Sequence, residues 1–264
     1  MRKYLEIGKV SVKTQITYRF DVLVGSFMPF IRVFLAYFLW RTLFTGKTEM
    51  GGMTFSMMLT YYIVCAFIQR LEQSNGMVWE YAGEIREGRF SKYLVKPVSP
   101  LGHFFFSSLG KTLYILLFTL LAVGGVILVF NRQFIFPASV GNLLLSVTIA
   151  FLGLIVMIIL NYLTALLAFK FTDITGWHLL KGNIVEFLSG SLLPLSLLPV
   201  WMQETMRFFP FYYMQYLPAS LYLGLRTEEA LPGILVMIFW ILALWGLAEV
   251  TYNRFRRLYE GVGA

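Results

Sequence analysis

Charged residues and cysteines are both scarce in this chain of 264 residues, which has 14% charged residues and one cysteine. A soluble globular domain carries about 25% charged residues, so too few charges are present to cover a water-exposed surface. The single cysteine, Cys65, excludes a disulfide scaffold and a cysteine-based metal cluster. The abundance of large apolar residues, 58% hydrophobic with 25 Phe, excludes a disordered chain. The composition therefore predicts a membrane protein with several spans.

Sequence signatures of nucleotide, metal and catalytic sites are also missing. Residues 46–48 and 110–112 both read Gly-Lys-Thr, like the end of a phosphate-binding loop, but the glycine required five residues earlier is replaced by Arg41 and Phe105. The two histidines are far apart in the chain, and neither has an acidic partner at ligand spacing. The sequence therefore predicts that this chain binds no nucleotide or metal and is not an enzyme.

Long uncharged stretches account for most of the chain. A membrane helix needs about 20 mostly apolar residues, and Glu49 and Arg70, for example, enclose 20 uncharged residues. The apolar run 152–160 lacks the alternation of a β-barrel strand, which favours helices. We predict an all-α membrane protein with a single permease-like domain over 1–264. Its six transmembrane helices are predicted at about residues 22–44, 51–69, 104–130, 140–169, 183–201 and 231–252.

The distribution of Lys and Arg predicts the orientation of these spans. With six spans and the N-terminus inside, the inner segments hold fifteen basic residues and the outer segments hold four. Cytoplasmic loops collect Lys and Arg, so both termini are predicted to be cytoplasmic. The basic residues are spread over separate loops, which argues against a nucleic-acid partner.

The longest polar insert, residues 70–103, is predicted to lie on the cytoplasmic side. It is rich in charge but also amphipathic, because Phe90, Tyr93 and Leu94 share one face at helical spacing. Gly88 is expected to break a helix here, and Pro97 to end one. Two interpretations stay open on composition alone: a surface helix that faces a soluble partner, and a solvated loop that only carries cytoplasmic charge.

Residues 84–100, EIREGRFSKYLVKPVSP, resemble the cytoplasmic loop of ABC-2-type transporter permeases. That loop has charged residues, a glycine, a short gap, a leucine pair or its equivalent, and then a proline. The length, the six-span layout and the basic N-terminus match as well, so the resemblance covers nearly the whole chain. Within the superfamily the chain is most similar to bacterial permeases that work as an unlike pair. Val95 departs from the pattern, since a second leucine is common there.

The resemblance implies an assembly in which two permeases, identical or related, pair in the cell membrane above two ABC ATPase subunits. ATP and Mg²⁺ would be held by the ATPase, and this chain would bind no cofactor. The loop would form a coupling helix that docks on the ATPase, and the segment 1–19 would be an interfacial helix that also touches it. The residues implied for the coupling contact are Glu84, Ile85, Arg86, Gly88, Arg89, Phe90, Leu94 and Pro97.

Two polar residues inside predicted spans are candidates for the translocation path. Arg32 is a charge within the first span and is expected to face protein or water, as a substrate or subunit contact or as a side chain paired with a nearby polar group. Asn161 lies in the fourth span, where a hydrogen bond between helices is the alternative.

The segment between spans five and six is rich in aromatic residues and is expected to lie on the outer side. The resemblance and the composition both indicate short re-entrant helices there, the alternative being an ordinary aromatic belt. The candidate outer-gate residues are Pro194, Phe208, Phe209 and Tyr212.

These patterns predict the permease subunit of an ATP-driven exporter of a hydrophobic or amphipathic substrate. The first alternative is a secondary transporter or channel that works without ATP, which usually has Asp, Glu or His inside its spans. The second is a membrane-bound lipid-modifying enzyme, for which the chain lacks a cluster of His, Asp or Ser at the interface.

Overall fold

The computed structural model describes residues 2–17, 19–95 and 97–258. Within these ranges the chain is all-helical, and a single isolated bridge between Met50 and Met53 is the only extended pairing. The helices in this described part are α1 (Arg2–Thr17), α2 (Arg19–Leu43), α3 (Phe55–Leu71), α4 (Ser74–Arg86), α5 (Ser91–Val95), α6 (Pro100–Val129), α7 (Val140–Leu166), α8 (Thr175–Leu188), α9 (Val200–Met206), α10 (Tyr216–Tyr222) and α11 (Ala230–Phe255).

Four stretches of helix in the described ranges are long and apolar enough to cross a membrane. They are Phe20–Leu43, Pro100–Val129, Val140–Phe169 and Thr227–Phe255. Each overlaps one of the predicted spans. The other two predicted spans correspond to shorter helices, since α3 has 17 residues and α8 has 14. At 1.5 Å per residue α8 is about 21 Å long, less than the roughly 30 Å of a bilayer core. The count of six spans therefore stays a prediction.

The stretch predicted as the fifth span, 183–201, is not one continuous helix. α8 begins earlier than expected and ends at Leu188; a 3-10 turn follows at Leu195–Leu197, and α9 begins at Val200. Gly190 adopts a φ of +80°, which ends the helix, and Pro194 lacks the amide needed to continue one. The uncharged run in the sequence thus joins two separate elements.

The N-terminal segment is helical and packs along α6. A Cβ atom placed on Gly110 would lie 2.3 Å from the carbonyl oxygen of Gly8, so the two backbones are in direct contact there. Next to this contact the ring of Tyr4 stacks on Phe106 with centroids 5.3 Å apart. α1 is therefore attached to the bundle, and its position at a membrane interface stays a prediction.

α7 runs through the main hydrophobic core and contacts α4, α10 and α11. The largest fully buried side chains of this core include Tyr61, Tyr81, Tyr162 and Tyr216. A smaller cluster joins α2, α3 and α6 through Val33, Leu59, Ile63, Ala66, Val126 and Phe130. The loop after α4 and the polar groups near α8 are both attached to this frame.

Candidate coupling loop and translocation cavity

The loop predicted to couple the chain to a partner is a helix, a tight turn and a short second helix. α4 ends at Arg86 and α5 begins at Ser91. Gly88 has a φ of +71°, in the left-handed region that favours glycine. The amide of Phe90 donates to the carbonyl of Glu84 at 3.0 Å and closes the turn. The structure thus shows the helix break that the sequence indicates at Gly88.

A cluster of aromatic rings attaches this loop to the bundle. Tyr81 is fully buried and stacks on Tyr93 with centroids 5.1 Å apart, and its Oη lies 2.6 Å from Nδ1 of His103. Phe90, also fully buried, contacts Tyr93 at 5.0 Å and Phe169 at 5.2 Å. Burial raises the pKa of the Tyr93 phenol, so this ring stays neutral at the protein interior. The loop is therefore packed closely against α6 and the segment that follows α7.

Three of the residues that the resemblance implies for the partner contact are buried within this chain. Glu84, Ile85 and Phe90 are all less than 9% exposed in the chain itself. The sequence interpretation placed Phe90 and Leu94 on one helical face. In the structure Phe90 lies in the turn before α5, so the i, i+4 relation does not apply. Phe90 packs into this chain, and Leu94 points away from it.

The outward surface of the loop includes the exposed residues Arg86, Arg89, Leu94, Val95 and Pro97, which we call the loop surface. Leu94 is 45% exposed and Val95 is 82% exposed. Two adjacent apolar side chains ringed by charge are typical of a compact protein interface. The sequence interpretation missed Val95, although it occupies the position where a second leucine would complete the pair.

Buried polar groups at the other end of α4 form a hydrogen-bond network. Asn161 is fully buried, and its Nδ2 donates to Oγ of Ser74 at 2.7 Å and to Oε1 of Glu72 at 3.2 Å. Nζ of Lys181 donates to Oδ1 of Asn161. The network joins the start of α4 to α7 and α8. The sequence left two interpretations of Asn161, a translocation path and a hydrogen bond between helices. The structure shows the hydrogen bonds between helices.

Beside this network lies a cavity of about 210 Å³ with several polar groups in its wall. Arg32 of α2 reaches it: Nη1 donates to Oε1 of Gln69 at 2.6 Å and lies 3.3 Å from Oε1 of Glu186. The polar wall residues are Arg32, Gln69, Glu72, Asn75, Glu186 and Gln215. Arg32 is thus paired with nearby polar groups, one of the arrangements that the sequence leaves open, and its side chain stays 61% exposed. Asn161 does not line this cavity.

A second cavity of about 470 Å³ adjoins the first and shares Arg32, Gln69 and Glu186 with it. The rest of its wall is mostly apolar and comes from α2, α3 and the segment after α8. These residues are Val33, Leu35, Ala36, Leu39, Tyr62, Cys65, Ala66, Ser191 and Leu192. The two cavities together place a polar compartment next to an apolar one.

The four candidate outer-gate residues fall into two separate groups. Pro194 is buried in the segment after α8. Two tyrosines of α3 hold this segment: Tyr61 donates to the carbonyl of residue 190, and Tyr62 donates to the carbonyl of residue 192. The other three, Tyr212, Phe208 and Phe209, lie beside α11. The ring of Phe209 stacks on Trp240 with centroids 6.3 Å apart, and the indole N–H of Trp240 donates to the carbonyl of Phe208 at 2.9 Å.

Tyr212 belongs to a charged cluster that sequence reasoning missed. Its Oη donates to Oε2 of Glu229 at 2.6 Å, and Oε1 of Glu229 accepts from Arg207 at 2.7 Å and from Arg226 at 2.8 Å. Arg226 is held with a φ of +55°, which is unusual for a residue with a side chain. One carboxylate thus fastens the segment after α9 to the start of α11.

Comparison with known proteins gives one clear match. The family described as ABC-2 family transporter protein matches residues 30–263, which is most of the chain. No curated protein and no solved structure matches it. Proteins of this family are membrane components of ABC transporters, associate with ABC ATPase partners and are not themselves the catalytic subunit. With its apolar helices and its matched extent, this chain belongs to the ABC-2 transporter family as a multi-pass membrane permease.

Proposed function

We propose that the chain is the membrane-spanning subunit of an ATP-driven exporter whose ATPase subunits dock on the loop surface. The observation that carries the proposal is that one side of the loop is buried against the bundle while the other side exposes apolar side chains. Tyr81 and Phe90 bind it firmly to the bundle, while Leu94 and Val95 are exposed. A rigid support beneath an exposed apolar pair suits a contact that must transmit force.

α4 offers a direct mechanical connection from that contact to the cavities. Its 13 residues span about 20 Å between the polar network and the turn at Gly88. Glu72 and Asn75, at its N-terminal end, line the smaller cavity. A shift of the loop as the ATPase closes would therefore move the cavity wall. Such a shift does work only if ATP-bound and ATP-free ATPase favour different positions of the loop.

The proposed assembly contains two such permeases, identical or related, and two ATPase subunits, which hold ATP and Mg²⁺. α8 supports the presence of a second permease, because only His178 and Val185 of its 14 residues are buried. Apolar side chains such as Trp177 and Leu180 on this helix stay exposed. Membrane lipid would cover the rest of the apolar surface.

The orientation proposed for the assembly has both termini and the loop surface in the cytoplasm of a cell membrane. The excess of Lys and Arg in the inner segments supports it. In this orientation the cluster around Glu229 lies on the outer side. We assign to Tyr212, Phe208 and Phe209 the closing of the exit, with the Glu229 contacts holding the closed position.

A transporter that works without ATP is the second candidate, and one observation favours it. The structure gathers Glu72, Lys181, Glu186 and Arg32 around one cavity region. Ionisable residues in such a place are common in ion-coupled transporters.

Purification of the tagged chain from its native membrane in mild detergent distinguishes the two candidates. We expect an ABC ATPase to copurify with the permeases in a ratio of about one to one, since the proposed assembly contains two of each. Recovery of the chain without an ATPase, together with transport by the reconstituted chain in the absence of nucleotide, would refute the proposal.

A further inference from the structure

We propose that the two adjoining cavities form one site for an amphipathic cation, an amine or quaternary ammonium head joined to an apolar body. This inference rests on the proposed function and specifies its substrate class. The head would occupy the 210 Å³ polar cavity, and the body would occupy the 470 Å³ apolar cavity.

The shared wall residues determine how one molecule would lie across both cavities. Arg32, Gln69 and Glu186 line both of them. A ligand that enters the polar cavity therefore passes directly over Glu186. Its remaining part meets Leu35, Leu39 and other apolar side chains of the larger cavity. Ligand sites of this kind combine a mostly apolar wall with a few convergent polar groups.

The charges in the wall favour a cationic head over an anionic one. Two carboxylates, Glu72 and Glu186, line the polar cavity, against one cation, Arg32. Arg32 is already held by Gln69 and Glu186. Lys181 donates to Asn161 and interacts electrostatically with Glu72 from behind the wall, but it is not itself a wall residue.

One carboxylate oxygen of each of these glutamates can still accept a hydrogen bond from a ligand. Among the described residues Oε1 of Glu72 accepts from Ser74 and Asn161, while its Oε2 has no hydrogen-bond partner. Glu186 makes one charged contact, at 3.3 Å, and its Oε2 has none within the described ranges. A positively charged head between these two carboxyl groups would give each of them a further charged partner.

A pair of probes with the same chain and opposite charge tests the inference. Decyltrimethylammonium and decyl sulfate would be bound to the permease with its ATPase in lipid nanodiscs, without nucleotide and with empty nanodiscs as blank. We expect the ammonium to bind more tightly. Glu186→Gln should weaken that binding about tenfold or more, because the ammonium head loses its charged partner in the wall that both cavities share.

Matched variants make the result interpretable. Glu204→Gln changes an exposed carboxylate outside both cavities and should leave binding unchanged. Glu72→Gln provides a second test in the wall should Glu186→Gln fail to fold. Arg32→Gln removes the cation that pairs with Glu186 and should therefore strengthen ammonium binding.

Tighter binding of decyl sulfate that is lost in Arg32→Gln would overturn the inference, as would equal binding of both probes with no effect of Glu186→Gln. Failure of the inference is separable from failure of the proposed function. ATP-dependent uptake of decyl sulfate into inside-out vesicles, without ammonium binding, would overturn only the substrate class. Uptake of either probe without ATP would overturn the exporter itself.

Discussion

Replacing Leu94 and Val95 together by aspartate is expected to abolish ATP-driven transport while the permease still folds. Val95 is 82% exposed and Leu94 is 45% exposed, so the change removes little packing within the permease. Burial of one such side chain at an interface contributes about 1.5–3 kcal/mol, so loss of both should weaken ATPase binding about a hundredfold or more. The measurement is ATPase retention on the tagged permease, together with nucleotide-dependent transport.

Two comparison variants separate a lost contact from a damaged protein. Val140→Asp introduces the same charge at a residue that is 74% exposed at the start of α7, far from the loop, and should retain the ATPase. Phe90→Ala should instead lower the thermal stability of the permease, because removal of a fully buried aromatic ring costs about 3–5 kcal/mol. Normal ATPase retention by the double aspartate variant would show that the contact lies elsewhere.

Asn161→Leu is expected to destabilise the permease strongly, although leucine is the more apolar side chain. Asn161 gives Glu72 a donor and gives Lys181 an acceptor, and it is itself fully buried. Its loss leaves two ionisable groups less satisfied, at a cost of about 3 kcal/mol. For a chain of this size that corresponds to a fall in Tm of about 6–12 °C.

The melting temperature in nanodiscs measures this effect. Asn142→Leu makes the same change on the same helix, where the amide is partly exposed, and should shift Tm little. Adding Lys181→Met to Asn161→Leu should recover part of the loss, since the unsatisfied ammonium is then removed. A Tm for Asn161→Leu equal to that of the wild type would contradict a structural role for the network.

The long helices could be predicted from sequence because a single property determines them. About 20 apolar residues between charges are sufficient evidence, as α6 and α7 show. The predicted span 183–201 does not match α8, because its uncharged, apolar run covers the end of α8, a turn and the start of α9. Pro194 and Pro199 indicate that a helix could be interrupted in this run. Composition alone does not show where the interruption falls, because it does not show which backbone amides lack a partner.

The site was only partly predictable because its contacts join distant parts of the chain. The break at Gly88 is local, and glycine and proline signals identify it. The inward position of Phe90 depends on Tyr81 and Phe169, which no periodicity relates to it. The same applies to Glu229, whose partners Arg207 and Tyr212 lie 22 and 17 residues earlier. Charge patterns predict the side of the membrane on which a segment lies, but not which charged residues pair.

Photocrosslinking from position 95 tests the central claim most directly. A benzophenone amino acid would replace Val95, which is 82% exposed, and in a separate variant Leu128, which is 77% exposed at the far end of α6. α6 alone extends about 40 Å from Pro100, which follows the loop surface in the chain, to Leu128. We predict that the probe at position 95 forms an adduct with an ABC ATPase, identified by mass spectrometry, and that the probe at position 128 forms none. ATPase adducts absent from position 95, or equally abundant from position 128, would contradict docking at the loop surface.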